Sequence, residues 1–144
     1  GLLPIFYFLD HQNTSRLHLR KTQLYSKVLL DACINSASCE NVKDVLRNLG
    51  IQNCTVIVGI PEDKDYAGVV RSMKDVAARI ILTRSGNPHY HFSQHQREVL
   101  MQEGILTEWT DSVKQALNLA NSFSDAIVIL GTTSVISETE QKIR

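Results

Sequence analysis

Four short blocks of uninterrupted apolar residues punctuate the chain: Val28-Leu29-Leu30, Val56-Ile57-Val58, Ile80-Ile81-Leu82 and Ile127-Val128-Ile129-Leu130. Each is bounded by polar residues or glycine, as strands buried on both faces are. Between the blocks the period lengthens. Val42, Val45, Leu46 and Leu49 recur at helical spacing ahead of Gly50, a residue suited to closing a helix, and Val69, Val70, Met73, Val76 and Ala77 repeat the pattern one unit later. A third helix is expected over Gln94 to Glu103, closed by Gly104, and a fourth from Asp111 to Ser122 with Val113, Ala116, Leu117 and Ala120 on one face. Ile105-Leu106-Thr107 is a candidate short strand between them, and Leu17-His18-Leu19-Arg20 a candidate antiparallel edge strand ahead of the main sheet.

Strands alternating with helices of this length make an α/β, Rossmann-like three-layer domain, with a mainly parallel sheet of about six strands and helices on both faces. At 144 residues and 43% apolar composition, the chain suffices for one such domain with a core and is too short for two. Fifteen basic side chains balance fifteen acidic ones. With no net field, neither nucleic acid nor an anionic membrane surface is an expected partner. The opening Leu2 to Leu9 is apolar but contains Pro4 and stops at Asp10, short of a membrane span. It reads as a segment leading in from a preceding domain. Cys33, Cys39 and Cys54 form neither an even disulfide set nor a Cys-x-x-Cys pair, which fits core thiols in a reducing, cytoplasmic compartment.

In such a sheet the loops that follow the strands gather at one edge, bringing together Asp31 to Asn35, Gly59 to Asp65, Thr83 to Asn87 and Gly131 to Ser134. That edge is the candidate binding surface. Its carboxylates, the Lys64 ammonium, its hydroxyls and its helix-start amides suit a ribose, a phosphate or an amino-acid carboxylate. No Gly-x-x-x-x-Gly-Lys-Ser/Thr loop occurs, so a triphosphate is not held by that device here. No nucleophile and base stand at catalytic spacing. His91 and His95 would share a helix face near His89, but carboxylate partners are missing nearby and no metal site is assigned.

Leu30-Asp31-Ala32-Cys33-Ile34-Asn35-Ser36-Ala37-Ser38 resembles the Leu-Asp-Gly-Ala-His-Asn-Pro-x-Ser signature that opens the C-terminal domain of folylpolyglutamate synthase and dihydrofolate synthase, members of the Mur ligase superfamily. Further motifs agree in order. Val56 to Gly59 leading to Asp63-Lys64-Asp65 resembles the family's strand followed by Asp-Lys-Asp, and Ile81-Leu82-Thr83 its next strand. Gly131-Thr132 falls where the family has Gly-Ser, and Ser15-Arg16-Leu17-His18 where it has Pro-Gly-Arg-Leu/Phe-Glu. The resemblance makes residues 1–15 a lead-in and residues 16–144 a Mur ligase C-terminal domain.

Enzymes of this family use ATP to activate a carboxylate as an acyl phosphate, which an amino-acid amine attacks to form an amide. The resemblance implies a preceding central ATPase domain that supplies the P-loop and most of the magnesium site, with this domain closing over the nucleotide and the amino acid. Alone it would be inactive. By the same likeness, Arg16 contacts ATP phosphates, Asp31 faces the ribose, Asn35 and Thr132 serve the substrate side, and Asp63, Lys64 and Asp65 shape the loop or meet the neighbouring domain. The substrates implied are a folate-type acid and glutamate.

The chain also departs from the family pattern. Ile34 stands where the family has a His thought to serve the amino acid, and it can neither donate a hydrogen bond nor carry charge. Ala32, Ser36 and Thr132 replace Gly, Pro and Ser. The sequence therefore leaves two readings open: the lid domain of an amide ligase, or a binding or structural module whose ligase site has eroded.

Overall fold

A computed structural model describes residues 5–9, 15–16, 27–123 and 126–143, with side chains described over 28–123 and 126–142. Strands and helices alternate as β1 (Ile5–Leu9), β2 (Ser15–Arg16), β3 (Lys27–Asp31), α1 (Ser36–Asn48), β4 (Cys54–Gly59), α2 (Tyr66–Met73), β5 (Ala77–Leu82), α3 (His95–Gln102), β6 (Glu108–Trp109), α4 (Val113–Asn121), β7 (Ala126–Gly131) and α5 (Thr133–Ile143). They form one sheet in the order β2-β1-β3-β7-β4-β5-β6. Every pairing is parallel except that of β2 with β1. The expected mainly parallel sheet with an antiparallel edge strand is thus present.

The apolar blocks divide their side chains between two cores in strict alternation. Leu29, Val56, Val58, Ile80, Leu82, Val128 and Leu130 pack with α1, α2 and α3 through Val42, Leu46, Val69, Met73 and Leu100. Val28, Leu30, Ile57, Ile81, Ile127 and Ile129 face the other way, onto α4 and α5 through Val113, Ala116, Ala120 and Val135. This period of two beneath continuous apolar runs is what a sheet covered on both faces requires. Leu46, Ile57, Ile81 and Leu100 are each almost wholly buried. Burying a side chain of that size stabilises the fold by about 1.5–3 kcal/mol.

The structure redraws three boundaries. Ile5–Leu9, expected as a lead-in, is a strand pairing in parallel with β3, so the sheet begins at Ile5. A continuous apolar run serves a lead-in or a strand equally, and only the pairing decides between them. The short strand expected at residues 105–107 lies instead at Glu108–Trp109, beside Ile81 and Leu82; Leu106 points into solvent. The antiparallel edge falls at Ser15–Arg16, and residues 17–20 lie outside the described residues. Gly50 and Gly104 take positive φ just past α1 and α3, as expected of helix-closing glycines. Among the described residues no helix is long and apolar enough to cross a membrane.

Strand order fixes where a ligand could sit. β7 is inserted between β3 and β4, yet α1 and α2 leave for one face of the sheet and α5 for the other. The loops after β3, β7 and β4 therefore diverge over a crevice at the carboxyl ends of the strands, the usual ligand position in open α/β sheets.

Candidate functional site

Asp31 and Leu130 are register partners at the end of β3 and β7, as are Gly59 and Gly131 at the end of β4 and β7. The crevice floor is thus Asp31, Gly59, Gly131 and the following Thr132. A Cβ on Gly131 would overlap the Gly59 carbonyl oxygen, and one on Gly59 would strike the methyls of Val135. Glycine at both places lets β4, β7 and α5 close up beneath the site.

One corner of the site is the pair of loops leading into α1 and α2. Asn35 caps α1, its side-chain oxygen accepting from the Ser38 N–H at 3.0 Å. Asp65 caps α2, accepting from the Gly68 N–H at 3.1 Å, and its other oxygen accepts from the Ser36 N–H at 3.0 Å. A single carboxylate therefore holds the starts of two helices together. Each cap satisfies N–H groups that the first turn of a helix leaves without partners. Beneath them Asp31 is 1% exposed and both its carboxylate oxygens are buried. Contact between that carboxylate and a ribose would require the residues that cover it to move.

The same loop holds two thiols. Cys33 Sγ lies 3.7 Å from Cys39 Sγ, and both are buried. Cys39 is held below the usual thiol range, chiefly because the Cys33 thiol hydrogen-bonds to it, with Ser72 and the Lys43 charge adding to the effect against burial. Cys33 is pushed up by that same interaction and by burial.

The other corner joins the loop after β5 to the start of α5. The Thr132 and Ser134 hydroxyls lie 2.8 Å apart, and Ser134 donates to Ser85 Oγ at 2.9 Å. Glu138, on α5, accepts from the Gly86 N–H at 2.6 Å. The segment from Arg84 to Phe92 lines a cleft of about 330 Å³. A second cleft of about 440 Å³ lies between Arg84 to Gly86, the start of α4 and the last turns of α5. Arg84 borders both, is exposed, and forms no ion pair among the described residues. The two corners are tied where the Glu62 N–H donates to the His91 carbonyl at 2.9 Å and buried Gln96 donates to the Ile60 carbonyl at 2.8 Å.

The structure gathers Asp31, Asn35, Asp65 and Thr132 at one edge of the sheet. Asp63 and Lys64 stand exposed on the β4–α2 loop, and the side chain of Arg16, in β2, lies outside the described residues. His91 and His95 do not share a helix face, because α3 begins only at His95 and His91 belongs to the preceding loop; His95 pairs with Glu98 instead. Among the described residues no three His, Cys, Asp or Glu side chains converge to hold a metal. Arg84, Ser85 and Ser134 fall in segments that the sequence brings to this edge, without being named singly, and Gln96 and Glu138 were not singled out. The partners of Ser85, Ser134, Gln96 and Glu138 lie 36 to 52 positions away, beyond the reach of local spacing.

No protein-family model and no curated protein matches the sequence. Solved structures do resemble it. A Mycobacterium tuberculosis folylpolyglutamate synthase complexed with ADP and AMPPCP is 18% identical, covers 80% of this chain and superposes with a TM-score of 0.68. The bifunctional folylpolyglutamate synthase/dihydrofolate synthase of Yersinia pestis, complexed with AMPPNP and a manganese ion, is 16% identical over 85% of the chain with a TM-score of 0.70. E. coli FolC in complex with DHPP and ADP is 20% identical over 86%, with a TM-score of 0.69. This chain spans only 29%, 30% and 30% of those three structures. It has the fold of the C-terminal portion of folylpolyglutamate synthase.

Proposed function

We propose that the chain is the closing domain of an ATP-dependent amide ligase of the folylpolyglutamate synthase type. In this reading residues 16–144, together with the strand at Ile5–Leu9, act beside a preceding ATPase domain that carries the P-loop and the magnesium. ATP there activates a folate-type carboxylate as an acyl phosphate, and an amino acid such as glutamate attacks it. Arg16 and Asp31 would serve the nucleotide, and Asn35 and Thr132 the substrate side. The observation that carries the reading is the agreement between motif and place: the residues of the ligase-like signature stand at the crevice of a fold shared with nucleotide-bound ligase structures. The Asp65 bridge supports a shaping role for the Asp63-Lys64-Asp65 block, since one of its three side chains is committed to two helix starts.

One observation favours a second reading. Ile34 is half-buried against the core of α1 and α2, where it packs as an apolar residue and offers no polar contact. A module with this fold and no working amino-acid site would look the same there. The two readings part in a thermal titration of the chain, joined to its native upstream segment, with ATP and magnesium. Nucleotide at about 100 times its Kd should stabilise a working ligase by about 2.7 kcal/mol. Asp31→Asn should reduce that gain. A folded protein that gains nothing from nucleotide would overturn the ligase reading in favour of the module.

A further inference from the structure

Cys33 and Cys39 are six positions apart, one in the β3–α1 loop and one in the first turns of α1, with their sulfurs in contact at 3.7 Å. Both thiols also turn toward the same acceptor: Cys33 donates to the Asn35 carbonyl at 3.3 Å, and Cys39 lies 3.7 Å from it. The third thiol is elsewhere, with Cys54 facing the Val76 carbonyl at 3.6 Å and its acidity weakened by burial to a pKa of about 11. We propose that Cys33 and Cys39 are an oxidisable dithiol, closing to a disulfide under a hydroperoxide and thereby loosening the loop that starts α1. The proposal is independent of the ligase reading.

The chemistry divides between the two sulfurs. Cys39, the more acidic partner and near a helix N-terminus, is the attacking thiolate. Its sulfur bonds to one peroxide oxygen as the O–O bond breaks, and the departing hydroxide takes a proton to become water. The Cys33 sulfur then attacks the resulting sulfenic acid. The S–S bond forms, the S–O bond breaks, and hydroxide leaves with the Cys33 proton as a second water. Two thiols have lost two electrons and two protons, and the hydroperoxide has been reduced.

Both sulfurs are buried, whereas Asn35, Ser36 and Ala37 are exposed. Opening of the first turn of α1 is therefore the route by which a small oxidant arrives, and it sets the rate. Oxidation removes both S–H donors from the Asn35 carbonyl. The residue that loses them is the cap of α1, so the disulfide is felt in the hydrogen bond from the Ser38 N–H to Asn35.

The test is to treat the native chain with hydrogen peroxide, alkylate the remaining thiols and map the peptides by mass spectrometry. The expected product is a Cys33–Cys39 link with the mass of a hydrogen pair lost, Cys54 still alkylated, full reversal by dithiothreitol, and faster amide exchange at Ser38. Thiols that stay alkylatable, that pass to sulfinic acid without a link, or that pair with Cys54 would overturn it. In Cys33→Ser, Cys39 should be trapped as a sulfenic acid by dimedone. If that variant does not fold, the link in the unaltered chain still decides.

Discussion

The two corners of the site use their polar groups in opposite ways. At the β3–α1 and β4–α2 corner, Asn35 and Asp65 are engaged with the backbone at the starts of α1 and α2, and Asp31 is covered. At the β5–α3 and β7–α5 corner, hydroxyls meet hydroxyls above clefts of about 330 and 440 Å³, with Arg84 exposed between them. Residues of the ligase-like signature thus build the floor and the loop geometry. Groups still able to receive a ligand stand mainly on the opposite corner. A motif can mark a site because it shapes the backbone there, even where its side chains are occupied.

The joint between the corners should be the most sensitive point. Gly131→Ala pushes a methyl into the Gly59 carbonyl and against Val135, and overpacking backbone against backbone should cost about 3 kcal/mol, read as a drop in the urea midpoint. A cost below about 0.5 kcal/mol, a typical surface value, would mean that the strands are not pinned there.

A smaller loss separates the corners. Asp65→Ala removes the α2 cap and the tie to Ser36, and should cost about 1–2 kcal/mol, with faster exchange at the amides of Ser36 and Gly68. Asp65→Asn should recover part of it. At the other corner, Ser134→Ala gives up the hydroxyl contacts to Ser85 and Thr132 and should cost about 1 kcal/mol. A double-mutant cycle with Ser85→Ala should return a coupling between the two hydroxyls. If Ser134→Ala proved the costlier change, the assignment of shaping and receiving corners would be reversed.

The smallest effect lies outside both corners. Arg71 donates to both oxygens of Glu103, at 2.6 and 2.8 Å, and the guanidinium holds that carboxyl below its ordinary range. A carboxyl depressed in the folded state adds stability above its unfolded pKa and loses it as pH falls through the folded value. Glu103→Gln should therefore differ slightly from the parent at neutral pH and converge with it in acid. Being exposed, the pair is a weak one, and salt should shrink the difference further.

Local patterning carried most of the fold. Strands buried on both faces are continuous apolar runs, so β3, β4, β5 and β7 were visible, as were the helices whose apolar residues recur at helical spacing. The final helix was not. In α5 a threonine, Thr139, occupies a fully buried position and turns its hydroxyl back to the Val135 carbonyl at 2.8 Å, so the apolar period is broken just where the helix packs. β6 escaped because two half-buried residues at a sheet edge carry no period. In the site, Asn35 and Asp65 are residue types suited to helix starts, which local spacing reveals. The bridge from Asp65 to Ser36, 29 positions away, and the contact from Ser134 to Ser85, 49 away, arise only from the sheet order.

Amide hydrogen exchange on the chain joined to its native upstream segment, with and without ATP, magnesium and a folate-type acid, tests the central claim most directly. The account predicts that ligand slows exchange at residues 32–36 and 131–135, on either side of the crevice between β3 and β7. Exchange there unchanged by nucleotide, in a folded protein, would contradict it.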